Sequence, residues 1–305
     1  MKLSWPLVEF ALVLGVALVC LWFQLRLPST HVDEKDYQDV ARVLAAEAQP
    51  GDAVLLAPWW TERARIYLPP NLEVVGYQGS DLDDLELHPR VWVLSEPKLP
   101  KADYPGFYEK FAPARTAVGQ MRDFGNLRLQ LFTNGRYRPL TFSAGQLLAQ
   151  SQVYVESPDG QRQACPFDGQ RSFRCQSSQV LLEWREIKFA PRQCIRFWPP
   201  GGASKLVLEL PPVPASAALG LRAGMVWDRG YFHDARLTPT TVNVEVDGQV
   251  TTSLTIPAGL EGLQRAAAPA VHEGARVRLS SQSANAESRE LCVELYGYAN
   301  AGSGP

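Results

Sequence analysis

The pattern of apolar and polar positions changes along this chain in three stages, and each stage predicts a different kind of structure. An almost unbroken apolar stretch, PLVEFALVLGVALVCLWFQL, occupies 6–25. Short apolar runs then alternate with helical periodicity as far as residue 134, and from residue 148 onward short runs show a two-residue alternation. These patterns predict a membrane-spanning helix, an α/β domain and an antiparallel β-sandwich.

The first stretch predicts a transmembrane anchor, because an α-helix needs about 20 apolar residues to cross a bilayer. It is longer than the apolar core of a signal peptide, and no small-x-small cleavage site follows it. Glu9 is its one charged residue. Because an intramembrane carboxylate is costly, Glu9 is a candidate for contact with another span. The simpler interpretation is that it snorkels to the cytoplasmic interface or is protonated there.

Cysteine usage indicates the compartment. After Cys20 the chain has Cys165, Cys175, Cys194 and Cys292, with no C-x-x-C pair and no histidine at metal spacing, so two disulfides fit better than a zinc site. Disulfides persist in oxidising compartments, and Lys2 before the anchor favours a cytoplasmic N-terminus. We therefore predict a single-pass protein of the inner (plasma) membrane whose C-terminal domains are extracytoplasmic.

The second stage predicts a small parallel sheet of the Rossmann-like α/β class. Asp33 is a suitable N-cap for a helix over 34–48, and the apolar run at 53–57 is typical of a buried parallel strand. The alternation of helix and strand then repeats and implies βαβ crossovers, with both faces of the sheet covered. The further predicted elements are helices at 61–68 and 81–87 and strands at 72–77, 90–95, 116–121 and 126–132.

Segments of this stage resemble a known domain. Behind a juxtamembrane helix, the chain resembles the periplasmic domain that follows the last span of polytopic glycosyltransferases using lipid-linked sugars of the dolichyl-phosphate-mannose type. The segments that carry this resemblance are Gln49–Leu56, Arg65–Pro70, His88–Leu94 and Phe124–Phe132. The resemblance covers roughly 33–134. Those transferases carry their catalytic acidic residues in loops of a many-helix membrane domain, whereas this chain has one predicted span. The resemblance therefore implies an accessory extracytoplasmic module with no catalytic residues.

Two features of the α/β segment could carry chemistry. Trp59 and Trp60 follow the strand at 53–57, beyond a carboxyl end, where α/β sheets bind ligands. They are a secondary candidate for a sugar site, with packing between helix and sheet as the commoner fate of such aromatics. Asp81 and Asp83 form a D-x-D string like the metal–diphosphate motif of nucleotide-sugar transferases, although the helix macrodipole explains two carboxylates at a helix start more simply.

The third stage predicts a jelly-roll-like β-sandwich over 138–299. In Val242–Val246 the valines alternate with polar residues, and Asp247-Gly248 is a type I′ hairpin signal. Alternation in the last strand puts Cys292 opposite its apolar face, so of the three possible connectivities we favour Cys194–Cys292 between strands and Cys165–Cys175 across a local loop. The nine predicted strands are 152–156, 178–184, 193–198, 205–210, 217–226, 240–246, 251–256, 276–280 and 290–298.

This stage is similar in pattern to jelly-roll domains of the galactose-binding and carbohydrate-binding-module type, through Thr241–Gly248, Gly274–Leu279 and the strand containing Cys292. One segment between predicted strands concentrates aromatic and hydrogen-bonding side chains. Sugars stack on aromatic rings while charged groups address their hydroxyls; in the alternative interpretation these side chains pack under the loop and pair with one another. The candidate ligand-binding residues are Trp227, Asp228, Arg229, Tyr231, His233 and Asp234.

Composition and motifs exclude several classes of function. The net charge is −2 and charged residues make up 20% of the chain, with no basic stripe for nucleic acid. Four histidines form no constellation, G-x-G-x-x-G and G-x-S-x-G motifs do not occur, and no metal or cofactor is expected. We predict an anchor and linker at 1–29, an α/β domain at 30–137, a sandwich at 138–299 and a disordered tail at 300–305.

The predicted function is a membrane-anchored, non-catalytic module that binds cell-envelope carbohydrate or assists a glycan-assembly machine. The alternative is a structural subunit of an envelope or pilus-like membrane complex, in which Glu9 contacts another span; Leu7–Leu14 resembles the N-terminal segment of TadE-like pseudopilins. A third possibility is an extracytoplasmic sugar transferase or hydrolase that depends on Asp81 or Asp83.

Overall fold

The computed structural model describes residues 5–76, 82–99, 104–175, 177–226, 238–257, 262–285 and 290–300; within helix α1, the side chains of residues 6, 7 and 26–30 lie outside this description. The chain divides into two compact units. Met1–Gly76 and Arg90–Gly135 form the first, and Tyr77–Pro89 and Arg136–Pro305 form the second.

The N-terminal apolar stretch forms helix α1, Trp5–Thr30. Its window Val8–Leu25 is long and apolar enough to cross a membrane, and none of that window is buried against the rest of the chain. Length and composition make this helix compatible with a single-pass anchor or with a signal sequence. Glu9 lies inside the window.

The first unit contains one five-stranded sheet in the order β2-β1-β3-β5-β4. The strands β1, β2 and β3 are parallel, while β4 and β5 form an antiparallel hairpin that pairs with β3 through β5. The sheet is therefore mixed, whereas the sequence predicts a parallel sheet; the prediction holds only for β1, β2 and β3, because the short β4–β5 turn forces an antiparallel hairpin. Its strands are β1 Ala53–Ala57, β2 Glu73–Val75, β3 Arg90–Ser95, β4 Arg115–Phe124 and β5 Leu127–Asn134; the helices are α2 Glu34–Glu47, α3 Tyr104–Phe111 and a 3₁₀ helix at Glu62–Ile66.

Helix α2 begins as the sequence predicts, with Asp33 as its N-cap. The face of α2 with Tyr37, Val40 and Leu44 is buried, since these residues recur at the spacing of one helix face. They share a core with side chains of β1, β3 and β5. At the β4–β5 turn, Gly125 has a φ of 58°, which other residues rarely adopt, and a Cβ there would press against the Asp36 carboxylate, so this turn favours glycine.

The second unit is a sandwich of two antiparallel sheets. One sheet has the order β16-β13-β18-β11-β10-β9, with β6 paired to β18, and the other has the order β15-β14-β17-β12-β7-β8. The strands are β6 Leu140–Ser143, β7 Gln152–Glu156, β8 Arg162–Ala164, β9 Ser172–Arg174, β10 Gln179–Ile187, β11 Ala190–Trp198, β12 Lys205–Glu209, β13 Ala218–Met225, β14 Thr240–Val246, β15 Gln249–Ile256, β16 Gln264–Ala268, β17 Val277–Ser283 and β18 Leu291–Tyr298. Short helices lie at Ala144–Leu147 (α4) and Leu148–Gln150 (3₁₀).

Both sheets bury one face in a shared core, to which Leu221 of β13 and Val242 of β14 contribute from opposite sides. Side chains alternate across a strand, so the residues between these core positions form the outer face of each sheet. Gly220, Arg222 and Gly224 are thus on the outer face of β13. The two outer faces are where a sandwich can present functional side chains away from its core.

The sandwich confirms several predictions. Each of the nine predicted strands is present, with ends shifted by at most three residues. Asp247 and Gly248 both have positive φ, 50° and 84°, as a type I′ turn requires. The disulfides Cys165–Cys175 and Cys194–Cys292 are both formed. They indicate an extracytoplasmic location for this unit.

One segment lies in a different unit from its neighbours in the sequence. The 3₁₀ helix Leu82–Leu87 stands in the sequence between β2 and β3 of the first unit, but it is part of the second unit. The backbone N–H of Arg138 donates to the carbonyl oxygen of Glu86 at 2.8 Å. Helical periodicity identifies the element but not its partners, which lie far later in the sequence.

Candidate functional site

The main predicted site, Trp227, Asp228, Arg229, Tyr231, His233 and Asp234, lies outside the described residues, as do Asp81 and the tail from residue 301. The residues on either side of this segment are described. Val226 donates its backbone N–H to the carbonyl oxygen of Glu290 at 2.9 Å, and the hydroxyls of Thr238 and Ser283 are 3.1 Å apart. The ends of the segment are therefore both attached to the ends of the β17–β18 connection.

The secondary candidate is in the first unit. Trp59 and Trp60 follow β1 after Pro58, with ring centres 5.4 Å apart in an edge-to-face arrangement. They are 41% and 48% exposed, so they are not packed between helix and sheet. Ile66, at the end of the neighbouring 3₁₀ helix, is 77% exposed. Trp59, Trp60 and Ile66 are exposed large apolar side chains within eight residues of one another in the sequence, and we call them the Trp59 patch.

The outer face of the seven-stranded sheet holds a largely buried group of charges, which we call the Arg222 cluster: Arg192, Arg222 and Glu294 from the sheet, with Asp84 and Glu86 from the segment Leu82–Leu87. Arg222 and Glu294 are register partners on β13 and β18. Their neighbours Leu221 and Leu295 face the core, so the alternation along each strand directs both charged groups outward.

Asp84 is held between the two arginines. Its Oδ2 lies 2.6 Å from Arg192 Nη2, and its Oδ1 lies 3.7 Å from Arg222 Nη1. Glu86 pairs with Arg222 and accepts a hydrogen bond from the Tyr298 hydroxyl at 2.9 Å. Glu294 lies 3.8 Å from Arg192 Nη1 and 3.7 Å from Arg222 Nη1. Each charge has an opposite charge beside it, as burial requires.

Burial dominates the electrostatics of this cluster, because the side chains of Arg222 and Glu294 are only 4% and 5% exposed. Burial raises the pKa of Glu294, and the coulombic attraction of Arg192 and Arg222 offsets only part of that rise. Burial disfavours the charge on Arg222, yet Glu294 and the other acidic neighbours raise the pKa of its guanidinium. Burial also raises the pKa of Tyr298 to about 12. The arginines therefore stay charged.

Of the two carboxylates in the D-x-D string, Asp83 lies within the described residues. Asp83 lies 3.8 Å from Arg136 Nη1 and 3.5 Å from Arg265 Nη1. These guanidinium neighbours favour an ion-pair role for Asp83. Within the described ranges, no group of three or more His, Cys, Asp or Glu side chains could hold a metal ion.

A second charge group, the Arg278 cluster, lies on the outer face of the six-stranded sheet. Arg278 of β17 is the register partner of both Glu245 on β14 and Glu209 on β12. It lies 2.9 Å from Glu245 Oε2, 3.2 Å from Glu156 Oε2 and 3.8 Å from Glu209 Oε2. Tyr154 donates its hydroxyl to Glu209 at 3.1 Å. This cluster joins strands of one sheet.

Sequence reasoning missed both clusters. The available signal was a single charged residue inside an otherwise apolar strand, as Arg222 is in LGLRAGM and Glu294 in LCVELYGY. Such a residue must face away from the core and find a partner. The register that joins Arg222 to Glu294 comes only from the fold.

Comparison with known proteins gives distant likenesses. No protein-family model and no curated protein matches the chain. Among solved structures, a family 22 carbohydrate-binding module of Clostridium thermocellum Xyn10B is 10% identical, with a TM-score of 0.28, and the match covers 50% of this chain and 89% of that one. Tandem CBM51 modules of a family 98 glycoside hydrolase from Streptococcus pneumoniae are 11% identical, with a TM-score of 0.32 and coverages of 59% and 61%.

A third match comprises the CBM51-2 and INT domains of Clostridium perfringens ZmpB, at 12% identity and a TM-score of 0.27. It covers 49% of this chain and only 26% of that one. TM-scores this low carry no argument about function. The assignment of the second unit as a two-sheet β-sandwich rests instead on its strand pairing and its shared core.

Proposed function

We propose that this protein is a membrane-anchored, extracytoplasmic, non-catalytic module whose β-sandwich binds a cell-envelope glycan. The observation that carries the proposal is the connectivity of the segment at 227–237. It leaves β13 of the seven-stranded sheet and returns as β14 of the six-stranded sheet. Connections between the sheets of a sandwich run at its ends, where loops are free to carry binding residues.

The attachment points of this segment support the proposal. Its preceding residue, Val226, is bonded to Glu290, and the following residue, Thr238, lies against Ser283. Two connections between strands therefore begin and end beside each other. A ligand there would lie beside the ends of strands in a disulfide-bonded scaffold, an arrangement that keeps binding groups in position.

The residue types of the segment suit a sugar. Trp227 and Tyr231 offer flat apolar faces on which the C–H groups of a pyranose ring can stack, while Asp228, Arg229, His233 and Asp234 offer donors and acceptors for hydroxyls. No bond needs to be made or broken. This chemistry is consistent with a module that holds a glycan for another protein, such as a glycan-assembly machine.

Anchoring is the second component of the proposal. The window Val8–Leu25 is long enough to cross a bilayer, and the two disulfides require an oxidising compartment. Together they support an N-terminus in the cytoplasm and both units outside it. The binding surface would then be restricted to glycan close to the membrane.

The proposal is tested by applying the full chain, reconstituted in lipid nanodiscs, to an array of bacterial envelope glycans and lipid-linked sugars. Trp227→Ala is compared with the wild type. Trp184→Ala is the matched control, because it removes an indole that is 66% exposed on β10 of the same sandwich. We expect saturable binding that Trp227→Ala strongly weakens and Trp184→Ala preserves.

Two outcomes would contradict the proposal. If the folded, disulfide-bonded protein binds no glycan on the array, the proposal of carbohydrate binding is wrong. Binding that survives Trp227→Ala but is lost in Trp184→Ala would move the site to the β10–β11 hairpin.

One observation favours a second function, a structural subunit of an envelope or pilus-like complex. Glu9 lies inside the apolar window, where a carboxylate needs a partner. In that case Glu9→Gln would release a co-purifying membrane protein, while glycan binding and Trp227→Ala would be irrelevant.

A further inference from the structure

The Trp59 patch is an exposed apolar surface at one edge of the first unit's sheet. Trp59 and Trp60 follow the carboxyl end of β1, and Ile66 ends the adjacent 3₁₀ helix. All three are large apolar side chains between 41% and 77% exposed. Exposed large apolar side chains that lie together on a folded protein mark a site of contact with a partner, a ligand or a membrane.

The first unit begins almost immediately after helix α1. That helix ends at Thr30, and the carbonyl oxygen of His31 accepts a hydrogen bond from Asn126 Nδ2 at 2.6 Å. Val32 is already part of the core, at 7% exposed. The connection between α1 and the core of the unit is therefore one residue long.

The length of chain before this junction places the unit at the membrane surface. Between Leu25, the end of the apolar window, and His31 the chain is helical. At about 1.5 Å per residue, this part of α1 spans about 9 Å. The polar headgroup region of a bilayer is about 5–8 Å thick on each side. The start of α2 thus lies next to the headgroups.

The Trp59 patch lies at the same edge as the start of α2. Tyr37, in the first turn of α2, donates its hydroxyl to Glu96 at 3.3 Å, and Glu96 follows the carboxyl end of β3. Because β1 and β3 are parallel, their carboxyl ends share that edge. The Tyr37 ring also stacks on the Tyr67 ring at 5.2 Å.

A cation accompanies the apolar side chains. The guanidinium of Arg63 lies 5.8 Å from the centre of the Tyr37 ring. Tryptophan and tyrosine side chains concentrate at membrane interfaces, because an apolar body and a polar edge match the headgroup level. Arginine nearby favours anionic lipid headgroups.

We propose that the Trp59 patch docks on the outer leaflet of the same membrane that α1 crosses, with Trp59, Trp60 and Ile66 among the headgroups. This proposal rests on the membrane anchoring proposed above. The occupant is the lipid surface itself, because the one-residue junction to α1 keeps this edge of the unit close to the bilayer that α1 would cross. Docking would fix the orientation of the first unit on the bilayer.

The test uses the full chain in vesicles of phosphatidylcholine and phosphatidylglycerol in equal amounts, with a nitroxide quencher on a fraction of the headgroups. The chain has 8 tryptophans, so the fluorescence of Trp59 and Trp60 is taken as the difference between wild type and Trp59→Phe/Trp60→Phe. We expect this difference signal to be strongly quenched by headgroup nitroxide and shielded from aqueous iodide.

Ile66→Glu provides a variant that keeps both tryptophans and changes only an exposed position. We expect it to weaken the headgroup quenching of the Trp59–Trp60 signal and to increase its quenching by iodide. Val118→Glu is the matched control, because Val118 is 39% exposed in the middle of β4, away from this edge. We expect it to leave both signals unchanged.

The two proposals fail in different ways. If the wild-type protein does not float with vesicles after an alkaline carbonate wash, the proposed membrane anchor is wrong. If the protein floats but its Trp59–Trp60 fluorescence is quenched by iodide and not by headgroup nitroxide, docking is wrong and the anchor is retained. Equal effects of Ile66→Glu and Val118→Glu would also overturn docking.

Discussion

The two outer faces of the sandwich each contain an arginine surrounded by carboxylates, but they use it differently. Arg278 meets three glutamates from strands of its own sheet, and its side chain keeps 16% of its surface exposed. Arg222 is 4% exposed and shares Asp84 with Arg192. Asp84 and Glu86 come from a segment that stands, in the sequence, inside the first unit. The Arg222 cluster therefore holds a distant segment in place, whereas the Arg278 cluster links neighbouring strands.

The largest expected effect concerns the disulfide beside the Arg222 cluster. Cys194 and Cys292 close a separation of 98 residues, against 10 for Cys165 and Cys175. By chain entropy, Cys194→Ser/Cys292→Ser should lower the free energy of unfolding by about 5 kcal/mol, and Cys165→Ser/Cys175→Ser by about 3 kcal/mol. Urea unfolding of the two double variants measures the difference. Equal losses of unfolding free energy in the two double variants would show that the longer loop closed by Cys194–Cys292 gives no additional stability.

The arginines themselves test the comparison next. Arg222→Met removes a guanidinium partner from buried Glu294 and from partly exposed Glu86, so we expect a loss of about 3–5 kcal/mol in the free energy of unfolding. Arg278→Met disrupts a more exposed cluster and should cost about 1 kcal/mol or less. Thermal or urea unfolding of both variants decides the matter. A larger loss for Arg278→Met would reverse the comparison.

The smallest expected effect is a pH dependence at Glu294. Its folded-state pKa is raised by burial, so the stability linked to its protonated form is present below about pH 4.3, the ordinary value, and is lost as pH rises through the raised pKa. Glu294→Gln cannot lose its proton. We therefore expect the wild type to lose stability relative to Glu294→Gln as pH rises above about 4.3.

Urea unfolding of wild type and Glu294→Gln across this pH range measures the difference. A difference between the two proteins that stays constant with pH would show that Glu294 keeps the same proton affinity folded and unfolded.

Local patterns predicted much of the fold. The two-residue alternation located the strands of the sandwich, Asp247-Gly248 marked its hairpin, and the opposite faces of Leu291 and Cys292 led to the correct disulfide. These signals lie within a few residues of one another. The very short strands β8 and β9, of three residues each, carry too little alternation to be seen.

Long-range partners could not be predicted in the same way. Helical spacing identified the element at 82–87, but its carboxylates are matched to Arg192 and Arg222 only by the folded sheet. The exposure of Trp59 and Trp60 was equally inaccessible, because an aromatic pair after a strand fits a buried or an open position. The predicted binding residues from Trp227 to Asp234 remain a prediction, since they lie outside the described residues.

The central claim is that the sandwich binds glycan through the segment between β13 and β14. Its most direct test is calorimetric titration of the nanodisc-embedded full chain with the glycan that binds most strongly on the array. We expect saturable binding by wild type and a dissociation constant at least about tenfold weaker for Trp227→Ala, a loss of about 1.4 kcal/mol in binding free energy, with Trp184→Ala unchanged. Identical binding by wild type and Trp227→Ala would contradict it.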